Sequence, residues 1–203
     1  MAKIKICGLF RGCDIDFVNE AVPDYIGFVF AESRRRVSAA EAAALRSRLK
    51  DGIAPVGVFV NAPPEDIREL YDSGVIELAQ LHGTENAAYM QSLRRLCGIP
   101  VIKAVPVEKA GDILTWQDSP ADYLLLDSGA GGTGRSFDWK LLGEARRPFF
   151  LAGGIGPENI ERALSLDPYC VDVSSGAETD GKKDPGKILQ LVRKTRSYGQ
   201  KRI

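Results

Sequence analysis

Phe149-Phe150-Leu151-Ala152-Gly153-Gly154-Ile155-Gly156-Pro157-Glu158-Asn159 is a short apolar run, then a glycine turn, then a proline-led entry to a helix. A run this short and this apolar suits a strand covered on both faces. Proline followed by an acidic residue suits a first helical turn, where the missing N–H does no harm. The order returns at Cys170-Val171-Asp172-Val173-Ser174-Ser175-Gly176, with Asp184-Pro185 opening the helix beyond. Outward from this pair, similar runs lie at 3–6, 25–30, 55–60, 77–81, 101–105 and 123–126, which with 149–152 and 170–173 predicts eight strands. Helix-period stretches fall between them. They are 14–21, 41–49, a helix entered at Asn61-Ala62-Pro63-Pro64-Glu65 and running to Leu70, then 84–96, 110–116, 138–145, 159–166 and 186–196. Ser38 with Glu41 three residues on reads as a capping box for the second of these. Eight strand–helix units predict an α/β fold, a (β/α)8 TIM barrel occupying 1–203 as a single compact domain. An open doubly wound sheet would need fewer strands. It would also carry G-x-G-x-x-G after the first strand, where Cys7-Gly8-Leu9-Phe10 stands instead.

Composition narrows the function classes. Of 203 residues, 44% are hydrophobic, which excludes a disordered chain, and 27 Lys+Arg balance 27 Asp+Glu. A nucleic-acid binder needs a basic excess to displace counterions, so nucleic acid is not expected as a partner. Cys7, Cys13, Cys97 and Cys170 form no C-x-x-C pair, and His82 is the single histidine, so a zinc site is out of reach. Scattered thiols predict a reducing, cytoplasmic setting. No apolar run is long enough to cross a bilayer, so no membrane partner is expected. The basic stretch 193–202 reads as a solvated last turn before it reads as a binding patch.

A barrel of this kind builds its active site where the strand C-termini open on one face. The residues at those ends are Cys7, the stretch Ser33-Arg34-Arg35-Arg36, Asn61, His82, Asp127, Gly153-Gly154 and Asp172-Val173-Ser174-Ser175. Gly131-Gly132-Thr133-Gly134, Gly153-Gly154-Ile155-Gly156 and Ser174-Ser175-Gly176 follow the last three strands. Glycine lets backbone N–H groups approach an anion closely, so three such turns on adjacent strands predict a phosphate cradle. Cys7 and Asp127 end strands with two others between them, and so face each other over the mouth. That is a base–acid pair for moving a proton off carbon while protonating an oxygen. Each has a plainer reading. Cys7 could be a small core filler, Asp127 a turn carboxylate, the arginine run an exposed charged face and His82 a turn residue. Lys103 reads as a barrel-interior lysine paired with a carboxylate, with a Schiff-base role as the sharper alternative.

One ordered set of motifs runs through nearly the whole chain. It comprises Lys5-Ile6-Cys7-Gly8, Gly27-Phe28-Val29-Phe30, Ser33-Arg34-Arg35-Arg36-Val37-Ser38, Gly57-Val58-Phe59-Val60-Asn61 and Gln80-Leu81-His82-Gly83. Leu125-Leu126-Asp127, the stretch from Gly131 to Trp139, Leu151-Ala152-Gly153-Gly154-Ile155, Pro157-Glu158-Asn159 and the stretch from Val171 to Glu178 complete it. In these the chain resembles the phosphoribosylanthranilate isomerase family of tryptophan biosynthesis, an aromatic amino-acid pathway. The resemblance implies an Amadori rearrangement of N-(5-phosphoribosyl)anthranilate to 1-(2-carboxyphenylamino)-1-deoxyribulose 5-phosphate, with no metal and no cofactor. It implies Cys7 as general base, Asp127 as general acid and Arg35 on the anthranilate carboxylate. His82 and Asp172 would line the substrate, and Gly132, Gly154, Ser174, Ser175 and Gly176 would hold the phosphate. A small phosphorylated substrate is then the expected partner, to a monomer or a homodimer. The chain departs from the commoner family pattern after Gly8, where Leu9-Phe10-Arg11 replaces an Ile-Thr pair. A histidine-pathway sugar-phosphate isomerase would place aspartate where Cys7 stands. A non-catalytic phospho-ligand module would keep the cradle without the acid and base.

Overall fold

A computed structural model describes residues 2–127 and 139–200. Eight parallel strands close into a barrel in chain order, with β8 pairing back onto β1. They are β1 (Lys3–Cys7), β2 (Tyr25–Val29), β3 (Ala54–Phe59), β4 (Leu78–Leu81), β5 (Val101–Pro106), β6 (Tyr123–Asp127), β7 (Phe149–Leu151) and β8 (Cys170–Val173). Around them run α1 (Gly12–Ala21), α2 (Ala39–Arg46), α3 (Pro64–Asp72), α4 (Ala87–Cys97), α5 (Ala110–Thr115), α6 (Ile160–Leu164) and α7 (Pro185–Gln200). The capping box forms as read, Ser38 accepting from the Glu41 N–H while the Glu41 carboxylate takes the Ser38 N–H. Where a helix over 138–145 was expected, the described part is a short 3₁₀ helix, Trp139–Glu144; Asp138 lies outside the described residues. α4 starts at Ala87 rather than 84 because Asn86 caps it and Glu85 is drawn back to the loop, taking the N–H groups of Asn61 and Gly83. A two-stranded hairpin, β9 (Glu178–Thr179) with β10 (Lys182–Lys183), follows β8 and was not expected.

Strand side chains alternate between two layers. Ile4, Ile6, Ile26, Phe28, Leu124, Leu126, Val171 and Val173 face the helices. Tyr25, Val56, Leu78, Ile102, Ala104, Leu125, Phe150 and Cys170 fill the barrel. The alternation corrects one expectation. Ile102 and Ala104 point inward, so Lys103 between them points out into the helix layer. Its ammonium meets Glu85 at 3.0 Å and the Gly83 carbonyl at 2.6 Å, above the Trp116 ring. The carboxylate partner is there, but it ties down the β4–α4 connection. Lys103 does not line the cavity at the barrel mouth, so a Schiff-base role has no place there.

The basic stretch near the C-terminus is helical through Gln200, longer than the expected 186–196. Lys194 donates to the Pro157 carbonyl and Arg196 pairs with Asp24, which binds this helix to its own barrel. Among the described residues no helix is long and apolar enough to cross a membrane.

Candidate active site

Barrel geometry sends the last inward residue of every strand toward one mouth. A cavity of about 260 Å³ opens there, lined among others by Cys7, Arg35, Gln80, His82, Asp127, Gly154, Asp172, Ser174 and Ser175. The residues expected at the site therefore meet, with two exceptions. Gly132 lies outside the described residues. Gly176 does not line the cavity; it sits so close behind it that a Cβ there would overlap the Ile155 carbonyl oxygen. Its role in the structure is to let the loops after β7 and β8 touch. A larger hollow of about 720 Å³ lies outside the barrel, between α2 and α3, under Phe30, Val37 and Phe59. Neither a thiol nor an imidazole lines it, whereas the mouth brings Cys7 and His82 together.

Gly153 and Gly154 stand at φ 92° and 62°, a left-handed pair that side chains disfavour, and this keeps the turn after β7 tight against the mouth. Asn159 locks that turn by accepting from the Gly156 N–H and donating to the Gly154 carbonyl. Opposite Cys7 in register is Gly27, where a Cβ would come within 2.7 Å of the thiol sulfur, so glycine makes room for it.

Cys7 is buried, and burial pushes its thiol above the ordinary cysteine value. Lys5, two residues earlier on the same inward face, pulls the other way, as does Lys183; Asp172 adds to the rise. Lys5 is completely buried, with its ammonium 3.0 Å from Asp172 and 2.9 Å from Gln80 Oε1. Desolvation opposes its charge, but the neighbouring Asp172 and Cys7 more than offset this and its pKa is raised. The cation beside the thiol is permanent at neutral pH.

Of the three consecutive arginines, only Arg35 lines this cavity. Arg36 is exposed and pairs with Glu32, and Arg34 is exposed at the rim. Arg35 is fixed by Glu178, whose carboxylate takes Nε at 2.7 Å and Nη2 at 2.9 Å in a planar fork. That leaves Nη1 as the nitrogen Glu178 does not engage. Glu178 also accepts from Lys183 at 2.7 Å, and Lys183 in turn reaches the Ser174 carbonyl. The departure after Gly8 is accommodated nearby: Arg11 pairs with buried Asp14 and donates to the Lys183 carbonyl, joining the first loop to the last. Lys5, Gln80, Glu178 and Lys183 were not among the expected site residues.

Arg35 and Lys183 hold the Glu178 carboxyl at about 2, below its usual 4.5. A depressed carboxylate contributes stability that is complete above 4.5 and lost as pH falls toward 2. Glu178→Gln should therefore be less stable near pH 7 by about 3 kcal/mol, since it strands two buried cations. Its stability should also fall less than that of wild type between pH 5 and 2. Urea unfolding at stepped pH measures both, and parallel curves for the two proteins would refute the assignment.

Among the described residues no group of three His, Cys, Asp or Glu side chains is placed to hold a metal ion. Comparison with family models matches residues 4–194 to N-(5'phosphoribosyl)anthranilate (PRA) isomerase. The N-(5'-phosphoribosyl)anthranilate isomerase of Endomicrobium trichonymphae is 48% identical, over 97% of this chain and 100% of that one. Among solved structures, phosphoribosyl anthranilate isomerase from Thermus thermophilus superposes with a TM-score of 0.87 at 36% identity, covering 96% of this chain and 98% of that one. Another, at 33% identity and TM-score 0.83 over 97% of this chain and 100% of that one, is in complex with reduced 1-(o-carboxyphenylamino)-1-deoxyribulose 5-phosphate.

Proposed function

The chain belongs to the N-(5'-phosphoribosyl)anthranilate isomerase family, and we propose how its own residues carry that reaction. The enzyme isomerises N-(5-phosphoribosyl)anthranilate to 1-(2-carboxyphenylamino)-1-deoxyribulose 5-phosphate in tryptophan biosynthesis. Asp127, as the carboxylic acid, gives its proton to the ring oxygen as the C1′–O bond breaks. The bonding pair stays on oxygen, and the amine lone pair forms the C1′=N iminium. Cys7 as thiolate then takes the C2′ proton. The C–H pair becomes the C1′=C2′ bond and the iminium π pair returns to nitrogen. The resulting enolamine tautomerises, its hydroxyl proton leaving as C1′ gains one, to give the ketone.

The observation that carries this reading is that Cys7 and Asp127 end β1 and β6 on one cavity, beside the glycine turn after β7. The Lys5 and Lys183 charges favour the thiolate against burial. Backbone N–H groups of Gly154, Ser174 and Ser175 hold the phosphate, with Gly176 in the same loop as the two serines and Gly132, outside the described residues, completing the cradle from the connection after β6. Asp172, fixed by Lys5, borders the sugar. Arg35 presents its free Nη1 to the anthranilate carboxylate. The direct test is loss of anthranilate fluorescence on mixing pure enzyme with freshly made substrate. No turnover above the spontaneous rate would overturn the reading.

Arg35→Ala should raise KM roughly ten- to a hundredfold with a smaller change in kcat, the loss of one or two charge-assisted hydrogen bonds. Arg34→Ala and Arg36→Ala should stay near wild type. If either of those carries the KM defect instead, the carboxylate lies elsewhere on the rim.

A further inference from the structure

His82 is the single histidine of the chain, and its Nδ1 lies 3.1 Å from Gln80 Nε2. Which ring nitrogen holds the proton follows from the contact one layer deeper. An ammonium has only donors, so the Gln80 atom 2.9 Å from Lys5 Nζ must be the carbonyl oxygen. The amide therefore turns its NH₂ toward His82, Nδ1 must accept, and the imidazole proton sits on Nε2. Gln80 is buried and Lys5 is anchored by Asp172, so the amide is held in that sense. His82 Nε2 lies 3.8 Å from Asp127 Oδ2. Charges act on the ring from four strands: Asp127 on β6, Lys5 on β1, Asp172 on β8 and, from the helix layer, Lys103 on β5. The two carboxylates and two ammoniums oppose each other. Burial is the largest influence and keeps the ring neutral, its pKa below the ordinary histidine value.

We propose that Gln80 is a positioning residue: ordered by Lys5, its amide holds His82 as the neutral Nε2–H tautomer, with that N–H on the Asp127 side of the cavity. An imidazolium there would pair with Asp127 and keep its carboxyl ionised, which removes the acid. The neutral ring leaves Asp127 able to carry a proton, and its N–H is a donor for the carboxylate left behind. This consequence rests on the acid role of Asp127; the tautomer does not.

The tautomer is read by a long-range ¹H–¹⁵N correlation spectrum of the untagged, ¹⁵N-labelled enzyme, in which one imidazole contributes. Near pH 7 the expected pattern is a bare Nδ1 and a protonated Nε2. A protonated Nδ1, alone or in an imidazolium, overturns the proposal with no variant needed. Gln80→Glu keeps the size but turns the donor into an acceptor for an Nδ1 proton. Its histidine should titrate at higher pH than in wild type. Its kcat should fall roughly ten- to a hundredfold at pH 7, part of a general acid's contribution, and recover only in part as pH passes the new histidine value, because the neutral ring then keeps its proton on Nδ1 and offers Asp127 no donor. A Gln80→Glu enzyme that titrates and turns over like wild type also overturns it. If Asp127→Asn proves active while the spectrum shows the expected tautomer, the acid assignment fails and the tautomer stands.

Discussion

Asp127→Asn is expected to lower kcat about a thousandfold while KM changes little, within the ~10²–10⁴ that a positioned acid contributes. The side chains are nearly the same size, and an amide N–H is far too weak an acid to protonate the ring oxygen as C1′–O breaks. The fold should tolerate the change. Asp127 ends β6 with its backbone carbonyl accepting from Val107, a bond that the side chain does not enter. Binding should survive too, because the proposed anchors for phosphate and carboxylate lie on other loops. Steady-state kinetics with thermal melts of both proteins decide the matter. A folded variant within tenfold of wild-type kcat would mean that the ring is opened by another group, and His82 would be the first to test.

The barrel was legible because its signal is local. Eight short apolar runs appear as eight strands, with no end shifted by more than one residue. The helix expected over 138–145 failed for local reasons as well: Gly143 weakens an α-helix and Pro148 stops its extension, leaving a short 3₁₀ helix. The hairpin after β8 did carry a cue, Asp180-Gly181, both at positive φ as a tight hairpin turn requires. Strands of two residues give no alternation to recognise, so the turn alone does not mark a hairpin. Cys7, His82 and Asp127 could be picked out because residues at strand ends need only the strand to be seen. Lys5, Gln80 and Glu178 could not. Lys5 meets Gln80 across 75 positions and Arg35 meets Glu178 across 143, so their chemistry exists only once the barrel has closed. Lys103 shows the converse: a lysine inside a strand faces whichever side its register dictates, and here that is the helix layer.

Cys7→Ala should be as damaging as loss of the acid, lowering kcat by about 10²–10⁴. Opening the ring makes the C2′ hydrogen acidic, but something must still accept it, and no other lining residue duplicates the thiol's place at the end of β1. Cys7→Ser sharpens the argument. It keeps shape and a hydroxyl, yet a serine hydroxyl ionises far above any cysteine, so Lys5 and Lys183 have no anion to favour. It should be nearly as inactive as Cys7→Ala. Neither change should unfold the chain, since Lys5 retains Asp172 and Gln80 and only one small side chain is lost from the mouth. Because burial holds the thiol above its ordinary value, wild-type kcat/KM should carry an ionisation on the alkaline side of that value. Both variants should lose that ionisation from their residual rates. A Cys7→Ser enzyme with wild-type turnover would show that the sulfur only fills space beside Gly27, and that the C2′ proton leaves to a different base.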